Sequence, residues 1–229
     1  TACVIQDRLG VPRSAGALDF NLGCSGYIYG LSLAKGLLET GQAQRVLLLT
    51  ADTYSKLIHP GDRSVRTLFG DAGAATLLEA VEPGQDAPEP IGPFVFGTDG
   101  SGKDELIVPE GGMRDPHPNE PPEEYTDSHG NRRTRRHLYM NGAEILQFSL
   151  REVPAAVDRL LSRAGLEIGD IDGFVFHQAS AKVLGGLQKR LKIPDERFHL
   201  YLSEIGNTVS CSIPIALRKA VEHDRVSPG

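Results

Sequence analysis

The sequence predicts an α/β protein whose mostly parallel sheet is covered by helices on both faces. Three observations carry that prediction. Short continuous apolar runs, such as residues 45–50 and 173–176, read as strands buried on two faces. Longer segments with apolar residues at helical spacing alternate with them. The 26 glycines fall in turns beside apolar runs and not in low-complexity tracts. Alternation of this kind is what helices packed on a parallel sheet produce.

The elements follow in order. Cys3-Val4-Ile5 lies in an opening helix. Residues 17–23 read as a short buried strand and Ser25 to Glu39 as the next helix, because Ile28, Leu31, Ala34, Leu37 and Leu38 recur near helical spacing before Gly41 stops them. Residues 45–50 form the next strand, and Gly70 to Ala80 a small-residue turn feeding another. The Pro- and acid-rich stretch Val81 to Pro90 marks a boundary between two units, 1–82 and 91–229. Residues 109–137 are polar, Pro-dotted and charged, with Arg132, Arg133, Arg135 and Arg136 near the end, and read as a surface excursion whose arginines are a solvated face. A long helix runs from about Met140 to Ala164 and ends at Gly165. Then come a strand at 173–176, a helix at Ala181–Leu191, a strand at Phe198–Leu202 and a last helix at Ser210–Val221.

Composition narrows the function classes. With 229 residues, 40% hydrophobic and 24% charged, the chain has the make-up of a soluble globular protein with a sizeable core. A net charge of −6 argues against nucleic acid as the main partner. Cys3, Cys24 and Cys211 are too few and too scattered for a disulfide framework or a zinc site, and a reducing cytoplasm is the expectation. No apolar run is long enough to span a bilayer, and the opening residues lack a secretory pattern, so no membrane is expected as a partner.

Three residues stand out chemically. Cys24 sits in Asn21-Leu22-Gly23-Cys24-Ser25-Gly26, between a strand end and a helix start, where backbone N–H groups are expected to lower a thiol pKa. On context alone a buried core cysteine explains it as well, and Cys3 and Cys211 read as packing residues in helices. His177 ends an apolar strand, the place where open α/β sheets bind ligands, although a structural histidine fits there too. Asn207, in Gly206-Asn207-Thr208, reads as a helix N-cap or as a site residue. Leu22-Gly23-Cys24 and Ile205-Gly206-Asn207 echo one another, each after a short strand and before an apolar helix. A duplicated unit would set Cys24 and Asn207 at matching helix N-termini across one cleft.

Asn21-Leu22-Gly23-Cys24-Ser25-Gly26, Phe69-Gly70-Asp71-Ala72-Gly73-Ala74-Ala75, His177-Gln178-Ala179 and Gly206-Asn207-Thr208, in this order, resemble the β-ketoacyl-ACP synthase III family over nearly the whole chain. The resemblance implies a thiolase-like fold, five α-β-α-β-α layers in two pseudo-symmetric halves, an N-terminal half in 1–82 and a C-terminal half in 91–229. It implies that Cys24 takes an acyl group from acyl-CoA, and that His177 and Asn207 stabilise the enolate formed when malonyl-ACP loses carbon dioxide. It implies acyl-CoA and an acyl carrier protein as partners, a homodimer, and no metal or other cofactor. Arg63 matches a contact to the CoA nucleotide, and Met140-Asn141-Gly142 a segment lining the pantetheine tunnel. The arginines at 132–136 offer a second reading, as a guide for an acidic carrier protein. Gly70 to Ala75 reads as a packing turn, since it lacks a phosphate-loop lysine.

The sequence also departs from the family. Ser180 stands where members usually carry Asn, which bears on substrate binding, and the excursion at 109–137 is longer than in housekeeping enzymes. Both point to a specialised branch, such as acyl supply for surface polysaccharide or secondary metabolism. The family's first strand-helix segment is expected before Thr1 and its Gly-rich closing segment after Gly229, so the 229 residues alone are expected to be inactive or unstable. Other functions compete. A thiolase-fold acyltransferase would use Cys24 and His177 without decarboxylation. A non-catalytic subunit of the same fold would lack the nucleophile. A papain-like protease shares the order Cys, His, Asn, but its Cys-Gly-Ser-Cys-Trp signature is missing and the chain has no Trp.

Overall fold

Helix α2 (Gly26–Glu39) lies on one face of an antiparallel pair, β1 (Arg45–Asp52) and β2 (Ala72–Glu79), in a computed structural model that describes residues 1–81, 91–113, 115–116 and 121–226. The boundary expected at 81–90 lies, from 82 onward, outside those residues. Arg45 pairs with Glu79 and Asp52 with Ala72, so the ladder is eight residues long without a bulge. Tyr27 and Ala34 of α2 bury against Leu48 and Leu78 of the sheet, with Ile28, Leu31 and Ile213 around them. Alternation along β1 sends Leu48 and Thr50 inward and leaves Leu47 and Leu49 exposed, with Leu77 beside them.

Two expectations change here. The regular ladders are all antiparallel, and parallel pairing occurs among the described residues only as single bridges, Phe69 with Asn207 and Phe174 with Phe198. Residues 17–22 run without a ladder among the described residues. Leu47, Leu49 and Leu77 are exposed, so among the described residues helices cover one face of this sheet.

The remaining elements form a second packed region. Helix α4 (Gly142–Ala164) ends at Gly165 and packs along α5 (Ala181–Leu191). Leu184, Leu191, Ile193 and Phe198 make a core there, joined by Phe174 and Phe176. Burying each such side chain stabilises the fold by roughly 1.5–3 kcal/mol. Residues 173–176 and 198–202 are not regular strands. Phe174 N donates to Arg197 O (2.7 Å) and His199 N to Phe174 O (3.0 Å), and Leu202 already begins the short helix α6 (Leu202–Ile205). Helix α7 (Ser212–Glu222) follows a 3-10 turn at Val209–Cys211.

The excursion is the least expected part. An antiparallel pairing of β3 (Leu106–Ile107) with β6 (Tyr139–Met140) brackets it, and inside it β4 (Tyr125–Thr126) and β5 (Arg132–Arg133) form a hairpin. It is knitted back onto residues 57–63: Leu138 N donates to Leu57 O (2.7 Å), Arg132 N to Gly61 O (3.2 Å), and His59 pairs with Glu124 (3.0 Å). Arg133 is buried, not solvated. Of the two cysteines read as packing residues, Cys211 is fully buried and Cys3, in α1 (Ala2–Arg8), is exposed.

Candidate active site

Cys24 lies two residues before α2, in the turn closed by Gly26 N to Gly23 O (2.8 Å), and its side chain is half-buried. A Cβ built on Gly23 would meet Val209 Cγ1 at 3.4 Å and the Tyr54 hydroxyl at 3.6 Å, and one on Gly26 would meet Ser210 Cβ at 3.3 Å. The cysteine turn is therefore packed against the segment that runs from Asn207 to Ser212. That segment is fixed from the strand side as well: Asp52 Oδ2 accepts from Ser210 N (3.0 Å) and from the Ser210 hydroxyl, and Cys211 Sγ donates to Thr50 O (3.2 Å).

Val209 sits at the centre of this arrangement. It is fully buried with φ of +55°, a conformation that a β-branched residue adopts only when its surroundings impose it. Its N–H donates to Asn207 Oδ1 (3.0 Å), which closes a local turn. Asn207 is thus not a helix cap, and it is not at a helix N-terminus. It is held in a parallel bridge with Phe69, its N–H donating to Leu68 O (2.9 Å) and its carbonyl accepting from Gly70 N (3.0 Å). The sequence echo between Cys24 and Asn207 is real, but the two residues occupy different local structures.

The Asn207 amide donates to Ala179 O (3.1 Å), which joins it to the turn after His177. An amide carries two hydrogens, so a second remains for another acceptor. His177 Nδ1 and Ser212 Oγ are 2.6 Å apart, and Ser212 Oγ also accepts from Gln178 N (3.2 Å). With that lone pair engaged, the serine hydrogen is free to go to Nδ1, and this tautomer carries its ring proton on Nε2. Nε2 is buried and makes no hydrogen bond among the described residues. Burial pulls the imidazole down to about 4, against an upward pull from the Val209 backbone, so the ring is neutral at neutral pH.

Cys24 does not behave as its place before a helix predicts. Burial pushes the thiol up to about 11; its own backbone hydrogen bond pulls the other way, and the negative charge of Asp52 adds to the rise. Desolvation disfavours the thiolate. Tyr54 shares the environment: burial raises its phenol to about 12, with Cys24 and then Asp52 contributing. It stacks on Phe69 with ring centroids 5.0 Å apart.

The other expected site residues have these local roles. Ser180 caps α5, its hydroxyl accepting from Val183 N (3.2 Å). Asn141 caps α4, its side chain accepting from Glu144 N (3.4 Å), and Gly142 is the first residue of that helix. Arg63 opens the short helix α3 (Arg63–Arg66) and lines a cavity of about 420 Å³ with Arg66, His129 and Arg132. Among the described residues no group of His, Cys, Asp and Glu is arranged to hold a metal ion. Sequence reasoning missed Asp52, Tyr54, Val209 and Ser212. Asp52 was within reach, since it ends an apolar run in the sequence just as His177 does.

Residues 18–100 match the model of 3-oxoacyl-[acyl-carrier-protein] synthase III, and residues 161–229 match the model of its C-terminal part. The chain belongs to the 3-oxoacyl-[acyl-carrier-protein] synthase III family. It is 35% identical to β-ketoacyl-[acyl-carrier-protein] synthase III 3 of Streptomyces coelicolor, over all of this chain and 65% of that one. It is 36% identical to the synthase III of Caldanaerobacter subterraneus subsp. tengcongensis, again over 65% of the relative. The chain thus spans a little under two thirds of the length of these relatives. A crystal structure of a 3-oxoacyl-(acyl-carrier-protein) synthase III superposes with a TM-score of 0.94 at 54% identity, covering 99% of this chain and 66% of that one. A synthase from Burkholderia xenovorans gives 0.83 at 40%, covering 97% and 61%. The α/β, thiolase-like fold implied by the four motifs is the fold observed in these synthases. Cys24, Asp52 and Arg63 fall in the first range that matches the synthase III model, and His177, Asn207 and Ser212 in the second.

Proposed function

We propose that this protein catalyses the decarboxylative condensation of an acyl group, taken from acyl-CoA onto Cys24, with malonyl-ACP. The observation that carries the reading is the convergence of the Cys24 turn, His177 and Asn207 on the segment 207–212. In the first half-reaction the thiol loses its proton as sulfur attacks the thioester carbonyl, and CoA leaves as a thiol. Burial disfavours both the Cys24 thiolate and the His177 imidazolium, so in this reading deprotonation accompanies attack. In the second, the bond to the malonyl carboxylate breaks and its electrons pass to the thioester oxygen. His177 Nε2–H and the free Asn207 amide hydrogen would donate to that enolate, each contributing about 3 kcal/mol. The enolate carbon attacks the acyl carbonyl, the Cys24 thiolate leaves and regains a proton from solvent, and β-ketoacyl-ACP is the product.

Residues 1–82 and 91–229 would be the two halves of this enzyme, the first bearing the nucleophile and the second His177 and Asn207. Arg63, Asn141, Gly142 and Ser180 would line the path of the CoA and carrier arms. Ser180 keeps its own O–H free while it caps α5, which suits a hydrogen bond to such an arm. A homodimer acting in the cytoplasm, without metal or other cofactor, completes the reading. Among the described residues no helix is long and apolar enough to cross a membrane.

Intact-mass analysis of the full-length protein with a panel of acyl-CoAs, followed by malonyl-ACP, tests the proposal. The expected result is one acyl adduct, absent in Cys24→Ala, then carbon dioxide release and loss of the adduct. An adduct that persists in Cys24→Ala would refute the nucleophile. Transfer to an alcohol or amine without carbon dioxide would replace condensation by simple acyl transfer.

A further inference from the structure

We propose that Arg133 is a positioning residue for the acyl-CoA mouth: it locks the hairpin 125–133 onto the segment that presents Arg63. The proposal rests on the reading of Arg63 as a contact to the CoA nucleotide. Arg133 is 3% exposed, lies 2.8 Å from Asp62 Oδ2 in an ion pair, and donates to Asp127 Oδ2 at 2.7 Å. Its guanidinium also lies over the Tyr139 ring, 5.4 Å from the centroid. Asp62 is itself 1% exposed and caps α3, accepting from Ser64 N at 2.9 Å. A buried charge pair of this kind costs desolvation energy and is weak evidence for stability, so its value lies in fixing one arrangement.

What it fixes is the cavity wall. Asn131 Oδ1 accepts from Arg63 N (3.2 Å), while Asn131 itself is held by Asp127 through its N–H (2.9 Å) and its amide (3.1 Å). The adjoining Arg132 hangs from Gly61 O through its backbone and stands 57% exposed. Arg63, Arg66 and Arg132 thereby face one cavity from two chain segments, with His129 at the hairpin tip. Three guanidinium groups around a cavity suit the phosphates of a nucleotide. The hairpin falls between the two ranges that match the family models.

The test compares acyl-CoA with acyl-pantetheine, which presents the same thioester without nucleotide phosphates, in the full-length protein. Arg133→Met is expected to raise KM for acyl-CoA about tenfold with kcat within about twofold, and to leave acyl-pantetheine unchanged. Asn131→Ala, which leaves no buried charge unpaired, is expected to do the same more weakly and decides the matter if Arg133→Met fails to fold. Equal losses with both donors, or no change with either, would overturn the role. Arg63→Ala separates the two levels. If it does not distinguish the donors, the nucleotide reading of Arg63 falls and this inference with it. If Arg63→Ala distinguishes them while the Arg133 and Asn131 variants do not, only the inference falls.

Discussion

The sulfur of Cys24 and the imidazole of His177 are both held in their neutral forms, and by the same cause, burial. For the cysteine this gives a measurable consequence. Iodoacetamide reacts with thiolate, so alkylation of Cys24, followed by peptide mass mapping in a Cys3→Ser background, should rise with pH toward a midpoint near 11. A midpoint below the ordinary thiol value would show that the helix start wins over desolvation. For the histidine, the decisive neighbour is Ser212, fully buried and shared between Nδ1 and Gln178 N. Ser212→Ala strands both groups and frees the ring to take the other tautomer. Carbon dioxide release from malonyl-ACP should then fall roughly tenfold or more, whereas acylation of Cys24 should change little. Equal losses in both half-reactions would point to a general packing defect.

At the scale of elements, the site depends on two chain segments that approach more closely than side chains allow. A Cβ on Gly70 would stand 2.9 Å from Ile205 O, and one on Gly206 3.2 Å from Leu68 O. Gly206 also has φ of +66° and ψ of −170°, a combination almost confined to glycine. Gly206→Ala should therefore cost about 2 kcal/mol or more in denaturant unfolding and displace Asn207 from its bridge with Phe69. Unchanged stability and activity would contradict that account. This close approach marks the limit of what the residue pattern reveals. The motifs containing Gly70 and Gly206 were legible, and so were the helices at 26–39, 142–164 and 181–191, whose apolar spacing is local. The pairing of β1 with β2 was not, because period and run length specify a strand but not the direction of its neighbour. Nor was the excursion, whose Arg133 looks solvated by composition and is buried only because Asp62, seventy-one positions earlier, meets it. The Cys24–Asn207 echo was legible as sequence, yet a shared tripeptide does not fix a shared conformation.

Over the whole molecule, the buried histidines make stability depend on pH. Above about 6.5 His177 is neutral in the native and the unfolded chain and contributes nothing to the difference. As pH falls from there to about 4, the unfolded chain takes up a proton that the native site refuses, so the native state loses stability. Below about 4 both states are protonated and this loss stops growing, at roughly 3 kcal/mol for a group so buried. His199 and His137 are lowered chiefly by burial too, and they add to the loss in the same direction. Asp127 acts in a lower window. Burial pushes it up, but bonds from Asn131 and His129 and the charge of Arg133 outweigh this and hold it at about 2. Its contribution is present above the ordinary carboxylate value and disappears as pH falls toward 2. Denaturant midpoints for the full-length protein should therefore decline in two stages, one between about 6.5 and 4 and another below 4. His177→Gln should flatten the first stage in part and leave the second intact, while Asp127→Asn should do the reverse. A first stage of undiminished slope in His177→Gln would mean that the imidazole titrates freely in the native protein. The neutral Nε2 donor on which the second half-reaction relies would then be lost at moderately acid pH.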